Sequence, residues 1–251
     1  MQKLLTPPEA QPKTKKSKKL NVLTYALHLA PADVSGRNVC PMATEGCKAT
    51  CLNTAGMGIF DSVQAARIRR TNLYFDARLV FMQKLYREIA YASRRAAKLG
   101  MRLSIRLNAT SDIPWERVPF SVQGYNYGNI MAAFPRVQFY DYTKVPKRAI
   151  AAATRDAIWP RNYHLTFSLA ENNAKDATRV LGLGGNVAAV FRTRTLVETA
   201  MATGLRMQGA IWPVIDGDAT DARYLDKAKG AIVGLYAKGK AKRDTSGFVL
   251  D

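Results

Sequence analysis

Short apolar runs alternating with helically spaced stretches are what most restrict the fold of this chain. Residues 136–142 (RVQFYDY), 163–169 (YHLTFSL), 187–192, 209–215 (GAIWPVI) and 230–236 (GAIVGLY) read as strands. A basic helix from about Pro146 and helical patterns over 172–181, 196–204 and 219–228 fall between them. Upstream, residues 21–30 (NVLTYALHLA) and 101–107 also read as strands. The long stretch 62–99 separates them, with Asp61 placed as its N-cap, a break near Thr71–Asn72, and Gly100 ending it. A segment after Asp112, containing Gly124-Tyr-Asn-Tyr-Gly128, reads as loop-rich. Strand followed by helix, repeated, argues for a parallel sheet with right-handed crossovers. The expectation is an α/β fold: a (β/α) barrel, closed or partial, with a long helical insertion near the start. An open doubly wound sheet has the same rhythm, but no Gly-rich dinucleotide fingerprint follows the first strand.

Length and charge set the organisation. A chain of 251 residues with 47% hydrophobic content can bury one sizeable core. Residues 1–20 hold six lysines against the single carboxylate of Glu9 and are rich in proline, so they are expected to be a disordered basic tail. Residues 21–251 are then one β/α-barrel domain. Most of the formal net charge of +19 belongs to that folded part. A positive excess of this size is the electrostatic footprint of a nucleic acid or another polyanion, although a basic enzyme with no such partner would carry it as well. No apolar run is long enough to span a bilayer, so no membrane association is expected. The sequence sets no oligomeric state.

All three cysteines fall in one segment, Cys40-Pro-Met-Ala-Thr-Glu-Gly-Cys47-Lys-Ala-Thr-Cys51, a C-x6-C-x3-C spacing in a Gly-, Pro- and Thr-containing loop. Residues 1–20 contain no apolar signal-peptide core, so export is not expected and the thiols should stay reduced. Structural zinc prefers closer pairs and four protein ligands, and only Cys47 and Cys51 are suitably spaced. An iron–sulfur cluster fits better. Clusters are held by thiolates, usually four, so three cysteines leave one iron open to a small-molecule ligand. Cys47 and Cys51 can share one face of a helical turn, while the turn at 41–46 brings Cys40 round. The plain alternative is three small buried thiols with no metal.

In β/α barrels, chemistry collects at the C-terminal ends of the strands. Those ends offer Cys40, Cys47 and Cys51, then Arg106, Asn108, Thr110, Ser111 and Asp112, then Tyr140, Asp141, Tyr142 and Lys144. Later strands add Ser168, Glu171 and Asn172, Arg192 and Arg194, Asp216 and Asp218, and Lys238. Arg106, Asn108, Asp112, Tyr140 and Ser168 are the expected cavity-lining, ligand-orienting set. Loops are polar in any case, so many of the others should be ordinary turn residues. Glu171-Asn172 can cap the following helix, and Asp216-Gly217-Asp218 reads as a turn. His28, near the end of the first strand, is the candidate for a fourth cluster ligand or a supporting role. His164 lies at the wrong end of its strand. No hydrolase triad or P-loop is present.

A three-thiolate loop after the first strand of a β/α barrel resembles the radical S-adenosylmethionine (SAM) superfamily. There three cysteines hold a [4Fe–4S] cluster whose fourth iron chelates SAM. By position the resemblance makes Cys40, Cys47 and Cys51 the ligands. The spacing differs from the usual C-x3-C-x2-C, and Asn108-Ala-Thr-Ser-Asp112 stands where a Gly-Gly-Glu-type motif would be. The run from Arg37 through Cys40-Pro and Gly46-Cys-Lys-Ala-Thr-Cys-Leu to Val63-Gln-Ala-Ala-Arg-Ile-Arg-Arg-Thr71 also resembles a group of bacteriophage-encoded three-cysteine proteins of unassigned activity. That resemblance implies expression in bacterial cytoplasm. The expected function is redox or radical-SAM-like chemistry at the open iron, on a nucleotide or nucleic acid. The alternatives are a nucleic-acid-binding protein with a structural cluster, and a non-redox metal-dependent enzyme using the iron, or zinc, as a Lewis acid.

Overall fold

The computed structural model describes residues 3–10 and 17–251. The chain divides into two compact units where a single domain is the expectation. The first comprises residues 1–40, 62–141 and 158–164; the second comprises 41–61, 142–157 and 165–251.

In chain order the strands are β1 (Leu5–Thr6), β2 (Val22–Leu27), β3 (Arg102–Arg106), β4 (Phe120–Val122), β5 (Tyr125–Tyr127), β6 (Gln138–Thr143), β7 (Tyr163–Ser168), β8 (Val187–Phe191), β9 (Leu205–Met207), β10 (Ala210–Trp212), β11 (Val214–Asp216), β12 (Ile232–Tyr236) and β13 (Val249–Leu250). The α-helices are α1 (Glu45–Ala49), α2 (Asp61–Asp76), α3 (Arg78–Lys98), α4 (Ile130–Ala133), α5 (Pro146–Ala153), α6 (Ala174–Gly182) and α7 (Arg194–Thr203). The fold is mixed α/β with mostly parallel strands, as the alternation implies.

In the first unit β2 runs parallel to β3, pairing Val22 with Arg102 and Ala26 with Arg106, and β3 runs parallel to β6. Helix α3 packs on β3 and β4 through Phe81, Met82, Leu85, Ile89, Ala92 and Ala96, a buried stripe at helical spacing. Tyr74, Phe81 and Trp115 interlock beside it, with ring centroids 5.2–6.1 Å apart. In the second unit β8 lies between β7 and β12, and β11 follows β12, all parallel; β13 also pairs with β8. Its core gathers Phe167, Val180, Leu181, Val187, Val197 and Ile232.

The barrel is not borne out. No sheet among the described residues closes: β1 lies antiparallel on the edge of β2, and β11 is an edge strand beyond β12. A barrel needs a parallel strand at each position and a crossover between successive strands. The helix expected over 219–228 is only a 3₁₀ turn at Arg223–Leu225. The expected single strand over 209–215 is broken at Pro213, which has no N–H for a ladder, leaving β10 in a hairpin with β9 and β11 in the main sheet. The long helical insertion is present, but its break falls at Ala77, between α2 and α3, rather than at Thr71–Asn72.

Part of the expected basic tail falls among the described residues. Leu4 and Leu5 are buried, β1 pairs Leu5 with Leu27, and the Glu88 carboxylate accepts the amides of both leucines at 2.8–3.0 Å. Two apolar residues with a buried landing place outweigh the polar composition around them. The expectation of disorder for residues 1–2 and 11–16 lies outside the described residues.

Candidate metal centre

The cysteine segment starts where β2 ends. From His28 to Ala32 the backbone is buried, and the Val39 amide returns to the Ala32 carbonyl at 3.0 Å, closing a loop. That loop is tied to the one after β3. The Asp112 amide donates to the Val39 carbonyl at 2.8 Å, and the Thr110 hydroxyl donates to the Leu29 carbonyl at 2.6 Å. Cys40 sits at the end of this scaffold. Its amide donates to Asn38 Oδ1 at 2.8 Å, and its Sγ receives the Ala32 amide at 3.3 Å.

Asn108 organises the β3 loop. It is 3% exposed, and its Oδ1 accepts from the Ser111 hydroxyl, the Ile113 amide and the Trp115 indole at 2.8–3.0 Å. Its own amide donates to the Asp141 carboxylate at 2.6 Å, which also takes the Tyr163 hydroxyl at 3.0 Å. Asp112 and Tyr140 are buried and Arg106 is half-buried at the end of β3. The first unit therefore contains Cys40, in the segment after β2, Arg106 at the end of β3 and Asn108 and Asp112 in the loop after it; Tyr140, expected at a strand end, instead sits inside β6 and is fully buried.

His28 is 7% exposed, with Nδ1 3.4 Å from the Thr6 hydroxyl. Burial, reinforced by the charges of Arg67, Arg106 and Arg70, pushes its pKa down to about 3, so the ring is neutral at ordinary pH. A neutral imidazole is the form a metal can accept.

Cys47 and Cys51 belong to the second unit. Cys47 lies inside α1, and its amide donates to the N-cap hydroxyl of Thr44 at 3.2 Å. At the other end the Thr50 hydroxyl donates to the Gly46 carbonyl at 2.7 Å. Cys51 follows, and its Sγ receives the Asn53 amide at 3.5 Å. Glu171, from the loop after β7, grips the start of the helix: Thr44 Oγ1 donates to Oε2 at 2.8 Å, and the Gly46 amide donates to Oε1 at 2.9 Å. Burial raises the Glu171 pKa, but the hydrogen bonds from its own backbone, Thr44 and Gly46 outweigh this and hold the carboxyl below its ordinary range. Nearby, Lys144 donates to Ser168 Oγ at 2.9 Å and lies over the Phe248 ring.

Glu171 is the residue that sequence reasoning misplaced. It caps the cysteine helix rather than the helix that follows it. The remaining strand-end charges are engaged structurally. Arg192 pairs with Asp251, Arg194 with Asp216, and Lys238 with Asp218. Asp216 Oδ1 also accepts the Asp218 amide at 2.8 Å, the turn that Asp-Gly-Asp implies.

None of the cysteines is in a disulfide, and all three are partly exposed. Among the described residues no three His, Cys, Asp or Glu side chains are gathered as a metal-binding group. Two of the three sulfurs, those of Cys40 and Cys51, accept a backbone N–H, a contact that stabilises anionic sulfur. No helix among the described residues is long and apolar enough to cross a membrane.

A family model described as Gene product 88 matches residues 3–251. No curated protein and no solved structure matches the chain.

Proposed function

This chain belongs to the Gene product 88 family; from its cysteine segment we propose that it is an iron–sulfur protein in which Cys40, Cys47 and Cys51 hold a [4Fe–4S] cluster. The observation that carries the reading is the sulfur chemistry: three partly exposed thiols within residues 40–51, none in a disulfide, with backbone amides donated to Cys40 and Cys51. When bound, such a cluster supplies electron transfer, or radical chemistry if SAM takes the open iron.

The chain's own residues do the positioning. Thr44, Thr50 and Glu171 fix the turn that presents Cys47 and Cys51. Asn108 and the Asp112 amide fix the loop that presents Cys40. Arg106, half-buried at the end of β3, is the residue we assign to orienting an anionic or polar ligand. Neutral His28 is the candidate side-chain ligand for the fourth iron. The substrate class we favour is a nucleotide or nucleic acid, in keeping with the net charge of +19. The setting we favour is the cytoplasm of a bacterial cell infected by a phage that encodes the protein. The same charge favours a second reading, a nucleic-acid-binding protein whose cluster is structural.

Anaerobic purification tests the proposal. The expected product is brown and carries about four irons per chain. Cys47→Ala should lose iron and stability together, because metal binding and folding are coupled. Colourless protein, or stoichiometric zinc, overturns the cluster. Dithionite with SAM separates the activities: 5′-deoxyadenosine marks radical chemistry, and an intact cluster without it leaves redox or structural roles. A His28→Ala variant that keeps the full cluster and its spectrum removes His28 as a ligand.

A further inference from the structure

Helix α3 has a second stripe beside its buried one. Lys84, Arg87, Glu88, Tyr91 and Arg95 recur at intervals of three and four residues, so they share a face. With the Lys3–Pro7 segment opposite and Tyr25 of β2 beneath, they line a cleft of about 550 Å³ that lies entirely within the first unit. That volume is in the range of small-ligand sites.

The charges lining the cleft are unequal in number. Four cations, Lys3, Lys84, Arg87 and Arg95, face two carboxylates. Glu88 accepts the amides of Leu4 and Leu5 and so anchors one wall. Glu9 takes both Lys18 and Arg95 at 2.8 Å, and those bonds draw its pKa down to about 2, keeping it ionised and engaged. Arg95 in turn donates to the Tyr25 hydroxyl at 2.8 Å, fixing the floor. Both carboxylates serve the walls, and four cations against two carboxylates leave the cleft electropositive. Tyr91 stands among these cations with 59% of its surface exposed. An accessible ring beside guanidinium groups is the pairing that holds a base and its phosphate.

We propose that the cleft between β1 and α3 binds a nucleotide, with its base against Tyr91 and its phosphate at Arg87, Lys84 and Lys3. The ligand class comes from the cleft alone, and the site stands whether or not the cysteine segment holds a cluster.

Isothermal titration of the full chain with AMP, adenosine and inorganic phosphate tests it, repeated on Cys47→Ala so that loss of a cluster and loss of nucleotide binding are read separately. AMP should bind one to one and at least about tenfold more tightly than adenosine or phosphate, since ring and phosphate each contribute. Arg87→Ala and Tyr91→Ala, both at exposed positions, should each weaken AMP about tenfold with unchanged melting, while Arg136→Ala, away from the cleft, should not. The proposal is overturned if AMP fails to bind at millimolar concentration, if phosphate binds as tightly as AMP, if Tyr91→Ala or Arg87→Ala leaves AMP binding unchanged, or if Arg136→Ala weakens it as much as Arg87→Ala.

Discussion

The Gly46 amide donates to the Glu171 carboxylate at 2.9 Å, across 125 residues of sequence. The bond joins the loop after β7 to the first turn of the cysteine helix, and the Thr44 hydroxyl on the same carboxylate makes it a two-point grip. A helix of five residues cannot sustain itself on propensity, because its nucleation cost exceeds what its few bonds return. The geometry of Cys47 and Cys51 therefore depends on an acidic side chain remote from them in sequence.

Glu171→Ala should accordingly destabilise the protein by about 1–2 kcal/mol, as loss of a charged cap does. Glu171→Gln should cost less, since one acceptor oxygen remains. The Glu171 carboxyl is held below its ordinary value of 4.5, so its contribution is present above that pH and fades as pH falls through the folded value. Urea denaturation from pH 7 down to 3, wild type against Glu171→Gln, should show the two curves converging in acid.

Gly46→Ala should be worse than a helix-propensity scale implies. A Cβ there would stand 2.9 Å from both Glu171 oxygens and closer still to Ser246 Oγ. Overpacking of this kind costs about 1–3 kcal/mol. The double variant Gly46→Ala, Ser246→Gly should recover part of the loss in thermal melts; no recovery would show that Ser246 is not the obstacle.

His28 provides an acid-sensitive element. Its folded pKa of about 3 lies below the ordinary 6.5, so the unfolded chain takes up the proton first. Stability contributed by the neutral ring is complete above pH 6.5 and falls by about 1.4 kcal/mol for each unit below it, until the folded value is reached. The groups facing it, Arg67, Arg70 and Arg106, are cations that do not titrate in this window. His28→Gln should flatten the dependence of unfolding free energy on pH between 6.5 and 4.5, and an unchanged slope would assign it to carboxylates.

Asn108→Leu should be the most damaging substitution in the first unit. It strips the acceptor from the Ser111 hydroxyl, the Ile113 amide and the Trp115 indole at once. Each buried donor left unmatched costs about 1–3 kcal/mol, so a total of about 3 kcal/mol or more is expected. Trp115 fluorescence should shift to the red as the ring loses its fixed, dry setting, measured alongside guanidinium denaturation.

The sequence by itself determined the elements whose signal is local. The cores of β2, β3, β6, β7, β8 and β12 are apolar runs between turn residues, and α3 shows its buried face through 3.6-residue spacing. Both patterns record which side of an element meets the core, and that is set within a few residues. The cysteine segment was legible for the same reason, as was the turn at Asp216–Asp218. Tertiary structure decided what depends on distant partners. Leu5 joins a sheet edge, with Leu4 buried next to it, only because Glu88 and β2 receive them. The β4–β5 hairpin turns at Gln123-Gly124, with φ of 52° and 81°, and takes hold beside α3. Glu171 looks like a cap for its own helix and instead serves the one holding Cys47. Composition and periodicity state what a residue prefers, and only the packed chain supplies the partner that satisfies it.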